Sequence, residues 1–301
     1  MIDLQSNLLK FLELKFRKRA NSEHDFIPIW IVGAPRSGTT LIYQALCSAF
    51  KCYYLTNRVA WRYRIALIVR MIERNFFKTD LSPTSFNSKY GQTKHSSDPH
   101  EGGPFFYQFF PKEEPYVTVE KNYRDSRNGV EFKNILSEIA KPYPIFISKN
   151  TYHSLRIQVL SELFPSSIFV WVKRDLKSTM KSIYKARQDN NDLEKWWGVN
   201  PPGWKLKEKE PVLDQIYWQV NAINQIIKKD LELSLARHYE IDYDDFCENP
   251  RSFIAEFADT FSLASNLYSS IINIPENFLT KSSESDNIDV MIQEYLEAKN
   301  D

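Results

Sequence analysis

Residues 26–40 read FIPIWIVGAPRSGTT, and the fold turns on this stretch. Its first eight residues are a short, almost wholly apolar run bounded by turn residues, the pattern of a strand buried on both faces in a parallel sheet. Residues 39–50 (TTLIYQALCSAF) then carry apolar side chains at helical spacing through Leu41, Ala45, Leu46 and Ala49. Strand, loop and helix in that order open a βαβ unit. The loop between them, residues 33–40, keeps the G-x-x-x-x-G spacing in which successive backbone N–H groups surround an anion at a helix N-terminus. It departs in one place. Thr39 stands where a nucleotide triphosphatase carries Lys, and the cation is Arg36, inside the loop. The anion cradle is kept, while triphosphate hydrolysis is disfavoured.

Working outward, the apolar runs 144–148 (PIFIS) and 168–173 (IFVWVK) predict two more strands, and 239–243 (YEIDY) a further one. Helical periodicity fills 154–164, 177–187 and 212–237. This alternation predicts one α/β domain over residues 1–301, doubly wound around a central parallel sheet in the manner of P-loop nucleotide triphosphatases. Residues 2–19 read as an amphipathic helix, with Leu8, Leu12 and Phe16 on one stripe and a basic end of Lys15, Arg17, Lys18 and Arg19, joined by a linker to residue 25. Two readings stand for it: packing on the core, or peripheral contact with anionic lipid. Residues 56–130 and 188–211 are irregular and rich in aromatics, Pro and Gly. They are expected as insertions that cover cofactor and acceptor.

Of the 301 residues, 43% are hydrophobic and 26% charged, close to an ordinary globular protein. With 39 Lys+Arg against 38 Asp+Glu, the net charge of +1 gives no global attraction for nucleic acid. Any anion must therefore be held locally. Cys47, Cys52 and Cys247 form no C-x-x-C pair, which argues against a zinc ribbon or a disulfide framework and for a reducing compartment. No run approaches the ~18 to 20 apolar residues of a membrane span, and Lys10, Glu13 and Lys15 interrupt any signal-peptide layout. A cytoplasmic protein is expected.

The PRSGTT loop of residues 35–40, together with IFVWVKRD at 168–175 and Ser182 eight residues after Arg174, resembles the sulfotransferases that use 3′-phosphoadenosine 5′-phosphosulfate (PAPS). The resemblance implies that Pro35, Arg36, Ser37, Gly38, Thr39 and Thr40 hold the 5′-phosphosulfate, with Arg36 at the sulfuryl group. It assigns the 3′-phosphate to Arg174 and Ser182. Leu176 replaces the family's usual Pro after Arg-Asp. Ser148-Lys149-Asn150 is similar to a further family element, with Thr151 in place of Pro; Leu163-Phe164-Pro165 and the Tyr243-Asp244-Asp245-Phe246 segment also match, the latter as a structural element. The matches run from about residue 28 to residue 263.

Sulfuryl transfer needs a base for the attacking acceptor and cations on the departing phosphate, with positioning and electrostatics dominant and no metal required. Residues 97–104 (SDPHEGGP) place two candidate bases in a Gly/Pro-bounded loop. Related bacterial-type enzymes carry a P-x-E element here, which favours Glu101, with His100 second. Other branches place a Glu about 20 residues beyond the first loop, but Tyr54-Leu55-Thr56-Asn57-Arg58 offers no acid. Lys149 is the candidate for stabilising the bridging oxygen, and His153 a distant alternative base. His95, His100 and Glu101 fit no standard metal spacing. The loop 196–204 displays Trp196, Trp197 and Trp204 and is expected to close over adenine or acceptor, with Trp204 counted among the cofactor contacts. The resemblance thus implies transfer from PAPS to a hydroxyl (before an amine) of a glycan or small metabolite, giving adenosine 3′,5′-bisphosphate. A P-loop nucleotide kinase and a non-catalytic nucleotide-binding module are the alternatives.

Overall fold

The computed structural model describes residues 2–21, 23–77, 86, 93, 95–110, 123–266, 274–278 and 287–300. Five strands form one parallel sheet: β1 (Ile27–Gly33), β2 (Cys52–Tyr53), β3 (Ile145–Lys149), β4 (Ile168–Lys173) and β5 (Arg237–Asp242), in the order β2-β3-β1-β4-β5. All the pairings are parallel, and Ile29 of β1 lies between Ile147 and Ile168. The helices are α1 (Ile2–Arg19), α2 (Thr39–Ala49), α3 (Asn57–Trp61), α4 (Ala66–Phe76), α5 (Gly103–Phe106), α6 (Arg127–Ala140), α7 (Ile157–Leu163), α8 (Leu176–Asp189), α9 (Val212–Ser234), α10 (Tyr243–Glu248), α11 (Pro250–Thr260) and α12 (Asn287–Asn300).

The middle of the sheet is apolar because helices cover both of its faces. β3 is buried throughout, and β1 and β4 are buried except at one terminal residue each. Trp30, wholly buried, satisfies its indole by donating to Ser167 Oγ at 2.9 Å. The chain leaves β1 toward β3 on one side and reaches β4 on the other, so the strand order reverses at β1. In such sheets a crevice opens at the carboxyl ends of the strands at that reversal, and here it lies beside the 33–40 loop.

Four strands stand where the apolar runs put them. The fifth, β2, is two residues long and carries no readable alternation. The irregular insertion at 56–130 opens with regular structure, since α3 and α4 occupy its first part and α6 begins inside it. Positions 78–85, 87–92, 94 and 111–122 of that insertion lie outside the described residues. The helix expected at 154–164 starts as a tight 3₁₀ turn, Thr151–Leu155, before α7. α1 packs on α4 through one face: Glu13 is buried, and its carboxylate accepts the N–H groups of Leu67 (3.2 Å) and Ile68 (3.1 Å). Its other face exposes Leu8, Leu9, Phe11 and Leu14.

Candidate active site

A cavity of about 360 Å³ opens at the carboxyl ends of β1, β3 and β4. Pro35, Arg36, Gly38, Thr39 and Thr40 form its floor, Lys149 and Thr151 reach it from the end of β3, and Arg174 from the end of β4. Glu101, Trp197, Gly198 and Tyr243 close it.

The floor gathers a bare helix N-terminus and two arginines. Gly38 is the N-cap of α2 in the left-handed region (φ 93°), without a side-chain cap and with no acid in the helix's first turn. The first N–H groups of a helix have no intrahelical partner, and the macrodipole adds positive potential there. A Cβ at Gly38 would stand 1.9 Å from Tyr243 Cδ2, so the backbone runs directly under that ring and only glycine fits. Arg36 is also left-handed (φ 68°), a strained state for a residue with a side chain, held by contacts on both ends. Its Nε donates to Ser182 Oγ at 2.9 Å, and its carbonyl accepts from Arg174 Nη1 at 3.1 Å. Residues 138 and 146 positions apart in the chain therefore meet in one site. The Arg174 guanidinium lies over the Tyr243 ring, 4.6 Å from its centre. Burial pushes the Tyr243 hydroxyl up to about 12, so the ring stays neutral at ordinary pH.

Two polar atoms around the loop are buried with no hydrogen-bond partner: Arg174 Nε, on a residue that lines the cavity, and Ser37 Oγ, which lies behind the floor against Gly33. Buried polar groups are normally satisfied, and an orphaned pair beside an uncapped helix end fits a site completed by an incoming anion.

Opposite the loop, Lys149 Nζ donates to Glu101 Oε1, and Asn150 Nδ2 donates to the Glu101 carbonyl at 3.1 Å. Lys149 is buried while Glu101 keeps about a third of its side chain exposed, so the carboxylate faces the cavity. His100, the second candidate base, takes no part in the lining. Its Nδ1 accepts the Gly102 N–H at 2.8 Å, and burial holds its pKa below the ordinary histidine value. His153 is a core residue, packed between Trp30 and Phe106 with ring centres at 5.1 and 4.6 Å and its Nε2 paired with Ser148 Oγ. Burial, then Arg156 and Lys149, hold it neutral. Among the described residues, no group of three or more His, Cys, Asp or Glu side chains gathers as a metal site.

The tryptophan loop differs from its expected arrangement. Trp204 is turned away from the cavity onto Trp196 (5.6 Å), which in turn meets Trp218 (6.1 Å). Trp197 and Gly198 are the members that line the cavity, because Gln219 of α9 donates to the carbonyls of Trp197 and Val199 and draws that end of the loop inward. Tyr243, read from sequence as structural, also lines it. The available signal was its place at the carboxyl end of the predicted strand 239–243.

Compared with known families, the chain matches the sulfotransferase family over residues 28–265. No curated protein matches it. Among solved structures it is similar to sulfotransferase STF1 from Mycobacterium tuberculosis (15% identity, 95% of this chain and 80% of that one, TM-score 0.54). It is also similar to sulfotransferase STF9 from Mycobacterium avium (14% identity, 95% and 70%, TM-score 0.50). At these identities the structural likeness speaks to fold.

Proposed function

The chain belongs to the sulfotransferase family, and from that premise we propose that it moves the sulfuryl group of PAPS to a hydroxyl of a glycan or small metabolite, an amine being the lesser alternative, and releases adenosine 3′,5′-bisphosphate. One observation carries this reading: Arg36, Arg174 and the uncapped start of α2 converge on a single cavity that also holds the Lys149–Glu101 pair. PAPS, when bound, supplies an activated sulfuryl group whose bond to the 5′-phosphate breaks as the acceptor oxygen attacks sulfur.

The residues present suit that molecule. The loop N–H groups from Arg36 to Thr40 and the Arg36 side chain would neutralise phosphosulfate oxygens. Arg174, with an unpaired Nε, and Ser182 would hold the 3′-phosphate, the guanidinium kept in orientation by Tyr243. Glu101 would take the acceptor proton, and Lys149, released from part of its pairing as that carboxylate is protonated, would donate to the bridging oxygen of the departing phosphate.

Thermal-shift titration with adenosine 3′,5′-bisphosphate tests this, with magnesium ATP and adenosine 5′-monophosphate as controls. The bisphosphate at ~100 times its Kd should add about 2.7 kcal/mol, a rise of several degrees in Tm. Arg174→Ala should weaken it at least ~tenfold. Stabilisation by magnesium ATP alone would establish the kinase alternative instead.

Two further properties belong to this reading. Leu8, Phe11 and Leu14 are each more than half exposed, Lys15 Nζ sits over the Phe11 ring, and Trp61 is exposed on the neighbouring α3. With Lys18 and Arg19 at the basic end of α1, this face suits peripheral contact with anionic lipid, which co-sedimentation with anionic against neutral vesicles measures. The three free, buried cysteines accord with a reducing, cytoplasmic setting. No helix of the described residues is long and apolar enough to cross a membrane.

A further inference from the structure

Trp197 is a shared wall. On its far side lies a second cavity of about 280 Å³, lined also by Arg187, Asn190, Asp192, Lys195 and Trp196. Arg187 is 1% exposed. Its Nη1 donates to Gln215 Oε1 at 2.8 Å and to the Leu193 carbonyl at 3.3 Å, which anchors the start of the loop to α9. Its Nε and Nη2 are buried and have no hydrogen-bond partner, and among the described residues no carboxylate pairs with it. Burial alone pulls its pKa down to about 10, which still leaves it cationic at neutral pH.

A buried guanidinium with unsatisfied donors is costly unless something completes it. The group that fits a planar fork is an oxyanion, bound through parallel N–H···O contacts. The surroundings agree. Lys195 stands exposed at the rim as a second cation, and Asn190 lines the same cavity. Asp192, the acid in the lining, is exposed and spends one carboxylate oxygen on the Lys195 backbone N–H at 3.0 Å. The Trp196 indole lies 5.6 Å from the guanidinium carbon and gives the cavity a flat apolar side. Arg187 is five residues beyond Ser182 on α8, a rise of about 7.5 Å along the helix, and Trp197 lines both cavities.

We propose that this second cavity is the subsite for an oxyanion already carried by the acceptor: a sulfate, phosphate or carboxylate held near Arg187 and Lys195 while the acceptor's hydroxyl lies across Trp197 in the first cavity. The inference rests on the sulfotransferase reading of that first cavity. It makes the acceptor an anionic compound rather than a neutral sugar or phenol.

The test uses the full chain saturated with adenosine 3′,5′-bisphosphate, so that the first anion site is filled, and reads tryptophan fluorescence during titration with inorganic sulfate. Potassium chloride at matched ionic strength is the control. A saturable change is expected from sulfate and none from chloride. Lys195→Glu, an exposed change, should weaken the response at least ~tenfold with Tm and bisphosphate affinity unaltered, and Arg187→Met should abolish it. Glucose 6-sulfate, glucose 6-phosphate and glucuronate, compared with glucose, identify the preferred oxyanion. Bisphosphate binding with no sulfate response, or with an equal response in Lys195→Glu, overturns the subsite while leaving the first cavity's reading intact. Failure of the bisphosphate to bind overturns that reading and the subsite's role together.

Discussion

Two helix N-termini of this molecule are treated in opposite ways. α4 begins with its first N–H groups closed by a carboxylate from elsewhere in the chain, since Glu13 accepts from both Leu67 and Ile68 and is itself paired with Arg17 at 3.3 Å. Nearby, buried Glu73 is surrounded by donors: Arg58, Tyr53 and Thr56 all reach its carboxylate. α2 begins with a bare Gly38, no side-chain cap and no acid, beside the unpartnered Ser37 Oγ and Arg174 Nε. A helix start of either kind needs its orphan N–H groups satisfied. Where the chain supplies the acceptor, the end is structural. Where it withholds one and adds cations instead, the end has the features that the proposed anion site requires.

Breaking the open end should produce the largest effect. Gly38→Ala forces a Cβ into the Tyr243 ring and strains a backbone at φ 93°, so bisphosphate affinity should fall by ~10²-fold or more, with some loss of Tm; isothermal titration reads both the affinity and, through its stoichiometry, the folded fraction. Glu101→Gln leaves the cradle intact but removes the carboxylate facing it. Turnover should drop ~10²-fold with bisphosphate affinity nearly unchanged. Full activity would move the base elsewhere.

The closed end should respond in stability alone. Glu13→Ala uncaps α4 and should cost ~2 kcal/mol, several degrees of Tm, without altering bisphosphate binding. Glu13→Gln, which keeps an acceptor oxygen, should cost less. The smallest effect concerns pH. His153 is held neutral in the core, its pKa below the unfolded value of 6.5. The unfolded chain therefore binds more protons as pH falls below 6.5, and the folded state loses stability by up to about 1.4 kcal/mol per pH unit until the buried ring itself titrates. His100 acts in the same direction. Denaturant titrations between pH 7 and 5 should show His153→Gln losing part of this slope; an unchanged slope would assign it to other groups.

These contrasts also show where sequence reading stops. Both sequence motifs could be placed beside strands because each is local: a fixed spacing of Gly, Arg and Ser next to a strand's apolar run carries its own geometry, and the structure brings Arg36, Arg174 and Ser182 together. The sequence could not separate Trp204 from Trp197, because three tryptophans within nine residues look alike, while Gln219, more than twenty positions from Trp197, holds the loop so that Trp197 lines the cavity. Tyr243 was hidden for a related reason. Its role depends on Gly38 and Arg174, both on other segments. Glu101 and His100 are adjacent candidates that only a resemblance ranked, Glu101 first, and the position of Lys149 at the end of β3 shows that Glu101 is the one facing the cavity. Arg187 gave no signal at all, because an arginine on a polar helix reads as solvated.

By itself, then, the sequence determined the parallel α/β architecture and the strand–loop–helix at residues 27–49, because strand and helix periods and a glycine-bounded turn act over a few residues. The tertiary structure decided which polar groups are satisfied and which are left open: Glu13 closing α4, Gly38 leaving α2 bare, Trp197 rather than Trp204 at the cavity wall, and Arg187 buried without a partner. Satisfaction of a buried donor is a property of whatever lies within about 3 Å of it, and those neighbours come from parts of the chain that only folding brings together.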